Sequence, residues 1–84
     1  MKNYLLRSDE IKHNEYLALI SVMARHGITK LKEIGRLIGI KADTFSHRCE
    51  GKRLNMTISE LCELADKVEL TDDEIVMIVR GALN

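Results

Sequence analysis

Eighty-four residues and 9.6 kDa, 45% hydrophobic and 31% charged, fit one small globular domain and leave no room for two. The formal net charge is zero, 13 Lys and Arg against 13 Asp and Glu, which excludes a uniformly polybasic chain. The aromatics are Phe45, Tyr4 and Tyr16, and Pro and Trp are absent, so an aliphatic core and an all-α chain are expected.

No apolar stretch approaches the roughly 18 to 20 residues that cross a bilayer, and the amino end turns charged before a signal-peptide core can form. A cytoplasmic protein with no membrane partner is the expectation. Cys49 and Cys62 are too few for a disulfide scaffold and are expected to be reduced and packed. Charge is unevenly spread. Residues 25–53 carry Arg25, Lys30, Lys32, Arg36, Lys41, Arg48, Lys52 and Arg53 against Glu33, Asp43 and Glu50, a balance of +5, whereas residues 54–84 have a balance of −5. A neutral chain of this kind can offer a local positive face to phosphate.

The first helix is expected to start at Ser8 or at Asn14 and to carry Tyr16, Leu17, Ile20, Met23 and Ala24 on toward a stop at Gly27. Leu31, Ile34, Leu37 and Ile38 at helical spacing predict a second, closed by Gly39. Residues 41–50, with Phe45 and Cys49 four apart, predict a third, ended by Gly51. Thr57 with Glu60, and Thr71 with Glu74, each fit a capping box, which fixes two more helix starts. Ile58, Leu61, Cys62, Ala65 and Val68 form the expected buried stripe of the fourth helix. In the fifth, Ile75, Ile78, Val79 and Ala82 are assigned to the core, and the capping box decides for helix over strand in the run from Ile75 to Val79. Val76, Met77 and Leu83 are left facing another surface, either the amino-terminal Tyr4, Leu5 and Leu6 or a second copy of the chain.

No linker, repeat or low-complexity tract divides the chain, so residues 1–84 read as one domain, with a core at about 8–83. Within it, Glu33 to Arg53 reads as two short helices joined by a sharp turn at Gly39 and Ile40, the layout of a helix-turn-helix at about 30–51. Ile34, Leu37, Ile38, Ile40, Phe45 and Cys49 must then pack together, which frees the other face of the second helix of the pair.

These residues resemble the lambda-repressor-like (Xre/Cro-type) helix-turn-helix family, especially small phage-type regulators. The resemblance lies in the order E-[LI]-[AG]-x-x-[LI]-G-I-x-x-x-T-[FI]-S-x-x-x-x-G-K-R. It is met by Glu33, Ile34, Gly35, Leu37 or Ile38, Gly39, Ile40, Thr44, Phe45, Ser46, Gly51, Lys52 and Arg53, and extends more loosely over about residues 14–80. It implies a compact five-helix domain with the helix-turn-helix at helices two and three. It further implies a sequence-specific transcriptional regulator, a phage or prophage-type repressor, that inserts helix three in the major groove of a double-stranded DNA operator. By position, Ala42, Asp43, Ser46 and His47 would face base edges. Lys41, Lys52 and Arg53 would meet phosphates, with Lys30, Lys32 and Arg48 as further candidates and Thr44 bonding locally or to a phosphate.

The family often has a glutamine or serine at the starts of its second and third helices, where this chain reads Thr29-Lys30-Leu31 and Lys41-Ala42-Asp43. It often has a large apolar residue where this chain has Arg48, which is expected to point outward. A domain this short reads few base pairs, so a homodimer is expected, with Val76, Met77 and Leu83 at its interface. The rival is a protein-binding module of the same fold, antirepressor-like, favoured by neutrality, Asp43 and the acidic last third. No metal, cofactor or catalysis is expected. His47 and Cys49 lie about 200° apart on a helix, no C-x-x-C or H-x-x-x-H occurs, and Ser46 beside His47 makes no catalytic pair.

Overall fold

The computed structural model describes residues 9–81, which form α1 (Asp9–Arg25), α2 (Leu31–Leu37), α3 (Ala42–Arg48), α4 (Ile58–Val68) and α5 (Asp72–Arg80), with no strand among the described residues. Ser8, Ala82, Leu83 and the Tyr4-Leu5-Leu6 segment, all of which figure in the expectations above, lie outside them.

Local chemistry sets the boundaries. α1 ends where the Ile28 amide donates back to the Met23 carbonyl at 3.0 Å and the Gly27 amide to Ala24 at 3.1 Å, a pair of bonds that satisfies the last carbonyls and turns the chain. α4 and α5 begin with complete capping boxes: Thr57 accepts from the Glu60 amide while Glu60 accepts from the Thr57 amide, and Thr71 and Glu74 do the same. α3 is shorter than expected. It stops at Arg48, and Cys49 to Lys52 continue as tight turns, closed by the Glu50 amide on His47 and the Lys52 amide on Cys49.

The core is aliphatic around one phenylalanine. Leu19, Val22, Met23, Ile34, Phe45, Leu64 and Ile78 are all fully buried, with Ile38, Cys49 and Leu54 close behind. α1 packs along α5, and α2 packs against α3 and α4. The fully buried Phe45 therefore binds α3 to residues drawn from the other helices.

Three assignments to the core are corrected. Ile58 is 81% exposed, Val79 is 54% exposed, and Cys62 is exposed, not packed. Ile58 is the first residue of α4 and overhangs the end of the core, which begins one turn later at Leu61. Cys62 and Val79 each lie about 100° around the helix from a core-facing neighbour, Leu61 and Ile78, at the rim of the apolar stripe. Met77 moves the other way: it packs against the core, and Arg25 Nη1 lies 3.7 Å from its sulfur.

Candidate nucleic-acid interface

The α2–turn–α3 unit is set by two glycines with different jobs. At Gly35 the helices approach so closely that a β-carbon would stand 2.9 Å from Phe45 Cβ and 3.2 Å from the Ile40 carbonyl oxygen. At Gly39 φ is +74°, and the turn is closed by the Gly39 amide on Arg36 and the Ile40 amide on Gly35. This left-handed turn is short and hydrogen-bonded, so α3 leaves α2 at a fixed direction.

With Phe45 buried, α3 presents the opposite face outward. Asp43, Thr44, Ser46 and His47 are exposed and Ala42 is half-buried. Lys41 precedes the helix and is exposed; Lys30 and Lys32 are exposed at the start of α2, and Arg36 is exposed further along it. Neither Lys30 nor Lys41, the residues preceding the first turns of α2 and α3, supplies a side-chain cap. The fold thus gathers on one unit the residues from Lys30 to His47 that the resemblance singles out, together with Arg36, which that reading omitted.

Arg48 is not among them. Its guanidinium turns away from the exposed face to Glu60, with Nη1 and Nη2 2.8 and 2.6 Å from the two carboxylate oxygens, and Nη2 also donates to the Asn55 carbonyl at 2.6 Å. Asn55 Nδ2 donates in return to the Arg48 carbonyl at 2.7 Å. The expectation that Arg48 points outward is therefore corrected. The fork already serves a carboxylate and a backbone carbonyl that bridge α3 to α4. The arginine, donating to Glu60, holds that carboxyl down at about 2 against the usual 4.5, and Glu60 in turn raises the affinity of Arg48 for its proton. Next door, burial pushes the Cys49 thiol up.

Lys52 and Arg53 emerge from the turns after α3. Lys52 is exposed and takes a left-handed backbone at φ 58°, and Arg53 makes an ion pair with Asp9 of α1 at 3.0 Å. These contacts across the chain, Arg48 with Glu60 and Arg53 with Asp9, are what sequence reasoning missed. Glu60 was legible as a capping residue, but nothing in the spacing names its second partner.

A second feature lies away from this face. A cavity of about 120 Å³, lined by Leu54, Met56, Leu61, Ile78 and Val79 with Glu15 and Thr57, opens beside the exposed Ile58. Val76, 48% exposed, is the described member of the expected dimer surface that remains on the outside; Leu83 lies beyond the described residues. No group of three or more His, Cys, Asp or Glu among the described residues could hold a metal ion, and no helix of theirs is long and apolar enough to cross a membrane. Comparison of the chain with protein-family models, with curated proteins and with solved structures gives no match.

Proposed function

We propose that the α2–turn–α3 unit is a helix-turn-helix of the lambda-repressor-like kind. On this reading the protein is a sequence-specific double-stranded DNA-binding regulator, a phage or prophage-type repressor working in the cytoplasm. The observation that carries the reading is the division of α3 into two faces. Phe45, fully buried and in close approach to Gly35, anchors one; Asp43, Thr44, Ser46 and His47 stand exposed on the other, with Lys41 exposed just before the helix and Lys30 and Lys32 exposed at the start of α2.

Such a helix can enter the major groove with its short polar side chains at base edges and its flanking cations at phosphates. Ala42, Asp43, Ser46 and His47 are the proposed base readers, with Asp43 suited to accept from cytosine N4. Lys30, Lys32, Lys41, Lys52 and Arg53 are the proposed phosphate contacts, with Thr44 as a neutral addition. Arg48 serves the fold instead. Two copies on a two-fold operator would supply the specificity that one short domain lacks, and the exposed Val76 and Val79 side of α5 is the proposed contact between them.

Selection of duplexes from a random library by the purified protein tests this. A two-fold motif with half-sites about one helical turn apart is expected, and alanine at Lys52 and Arg53 lowers affinity and salt dependence alike on every duplex. No enrichment by a folded protein overturns it. The second reading, a module that binds a protein partner, is favoured by the open apolar cavity beside Ile58 and by Asp43 on the outward face. On that reading an aspartate at Val79 abolishes partner capture, and the Lys52 and Arg53 substitutions leave it intact.

A further inference from the structure

The segment that follows α3 is laid along the first turns of α1. The Leu54 amide donates to the Lys12 carbonyl at 3.1 Å, His13 Nδ1 lies 2.8 Å from the Lys52 carbonyl oxygen, and Arg53 Nη1 is 3.0 Å from Asp9 Oδ2. A carbonyl oxygen only accepts, so His13 carries a proton on Nδ1 and donates it there. Lys12 and His13 thereby fix the backbone of the segment, while Asp9 acts on a side chain. The guanidinium of Arg53 folds back over Gly51, with Nη2 3.0 Å and Nε 3.2 Å from where a β-carbon on that glycine would stand.

Carboxylate and phosphate oxygens use the same guanidinium donors. We infer that Asp9 is a positioning residue for the phosphate contact of Arg53: it occupies a donor of Nη1, holds the guanidinium back against Gly51, and competes with a duplex phosphate for that arginine. The inference rests on the duplex-DNA reading above. Because the Asp9 side chain is 78% exposed and that of Arg53 41%, the pair is weak enough for a phosphate to displace it. Asp9 thus sets how much affinity the arginine contributes without blocking the site.

The test compares Asp9→Asn, Glu10→Gln, Arg53→Gln and the double variant Asp9→Asn/Arg53→Gln of the full chain on a labelled random-sequence duplex between about 50 and 200 mM salt. Glu10 lies in the same first turn of α1 and is exposed, so its substitution removes the same charge without touching Arg53. Asp9→Asn is expected to bind about two- to fivefold tighter at the low-salt end, with a salt slope steeper by about one phosphate contact. Glu10→Gln gains less, and the gain of the double variant over Arg53→Gln is no larger than that of Glu10→Gln. Asp9→Ser, which also suits a helix start, should repeat the result. An Asp9→Asn effect equal to that of Glu10→Gln, or one that persists undiminished without Arg53, overturns the positioning role and leaves the DNA reading standing. Failure of the folded wild-type protein to bind any duplex overturns both.

Discussion

Glu60→Gln separates the two jobs of one side chain. Glutamine keeps an oxygen for the Thr57 amide, so the start of α4 survives, but the charge facing Arg48 is gone. The folded carboxyl at about 2, against 4.5 ordinarily, sets the size of the effect. At about 1.4 kcal/mol per tenfold change in proton affinity the ceiling is about 3.4 kcal/mol. Part of the shift comes from the Thr57 bonds, which glutamine keeps, and the side chains of the pair are 23% and 28% exposed to screening solvent, so the expected loss is about 2 kcal/mol.

The sign follows from the depressed value. The contribution is complete above 4.5 and disappears as pH falls from there toward 2, so wild type and variant should differ at pH 7 and converge at the acid end. Urea unfolding at a series of pH values measures this, with a difference on the order of 10 °C in melting temperature at neutral pH as a second readout. Arg48→Met should cost a similar amount, and the double variant less than the two losses summed. Equal stability of wild type and Glu60→Gln at pH 7, or a gap that stays constant down to pH 2, refutes the reasoning. On the proposed DNA-binding reading, Arg48→Met should also leave the salt slope of duplex binding unchanged, because that arginine is engaged within the fold.

Further predictions concern backbone and surface. Gly35→Val places branched carbons where even a β-carbon would stand 2.9 Å from Phe45 Cβ, so a loss of about 3 kcal/mol is expected, read from the urea midpoint. Glu69 takes a left-handed backbone at φ 62° at the end of α4, so Glu69→Gly should stabilise by about 0.5 to 1 kcal/mol; an unchanged or lowered midpoint contradicts this. On the proposed dimeric DNA-binding reading, Val76→Asp should give a folded monomer with weakened DNA binding, whereas a dimer that persists in sedimentation removes α5 from the interface.

The elements were legible because their ends are written locally. The Thr57 and Thr71 boxes, the turn at Gly39 and the Phe45 to Cys49 spacing each act within a few residues, and each appears in the folded chain. Ile58, Cys62 and Val79 were misplaced because periodicity gives a face but not the distance to which neighbouring helices cover it. The electrostatic partners were illegible for a different reason. Arg48 meets Glu60, and Arg53 meets Asp9, only after separate parts of the chain have docked, so the outward-facing cations among the eight between residues 25 and 53 could not be sorted in advance from those consumed by the fold. The α3 face depended on one buried residue, Phe45, and so could be read.

Both capping glutamates also answer to a distant helix: Glu60 to Arg48, and Glu74 to His26 at 3.0 Å with Arg25 at 3.9 Å. Initiating α4 and docking α3, or initiating α5 and seating it on the end of α1, are therefore coupled, since one side chain serves both. Short helices ordinarily fray from either end. Here the amino ends of α4 and α5 are tied into the tertiary structure, so opening should proceed from their carboxyl ends, and amide exchange along each should rise toward Val68 and Arg80. The unfolding of this small domain acquires a direction from two threonine and glutamate pairs.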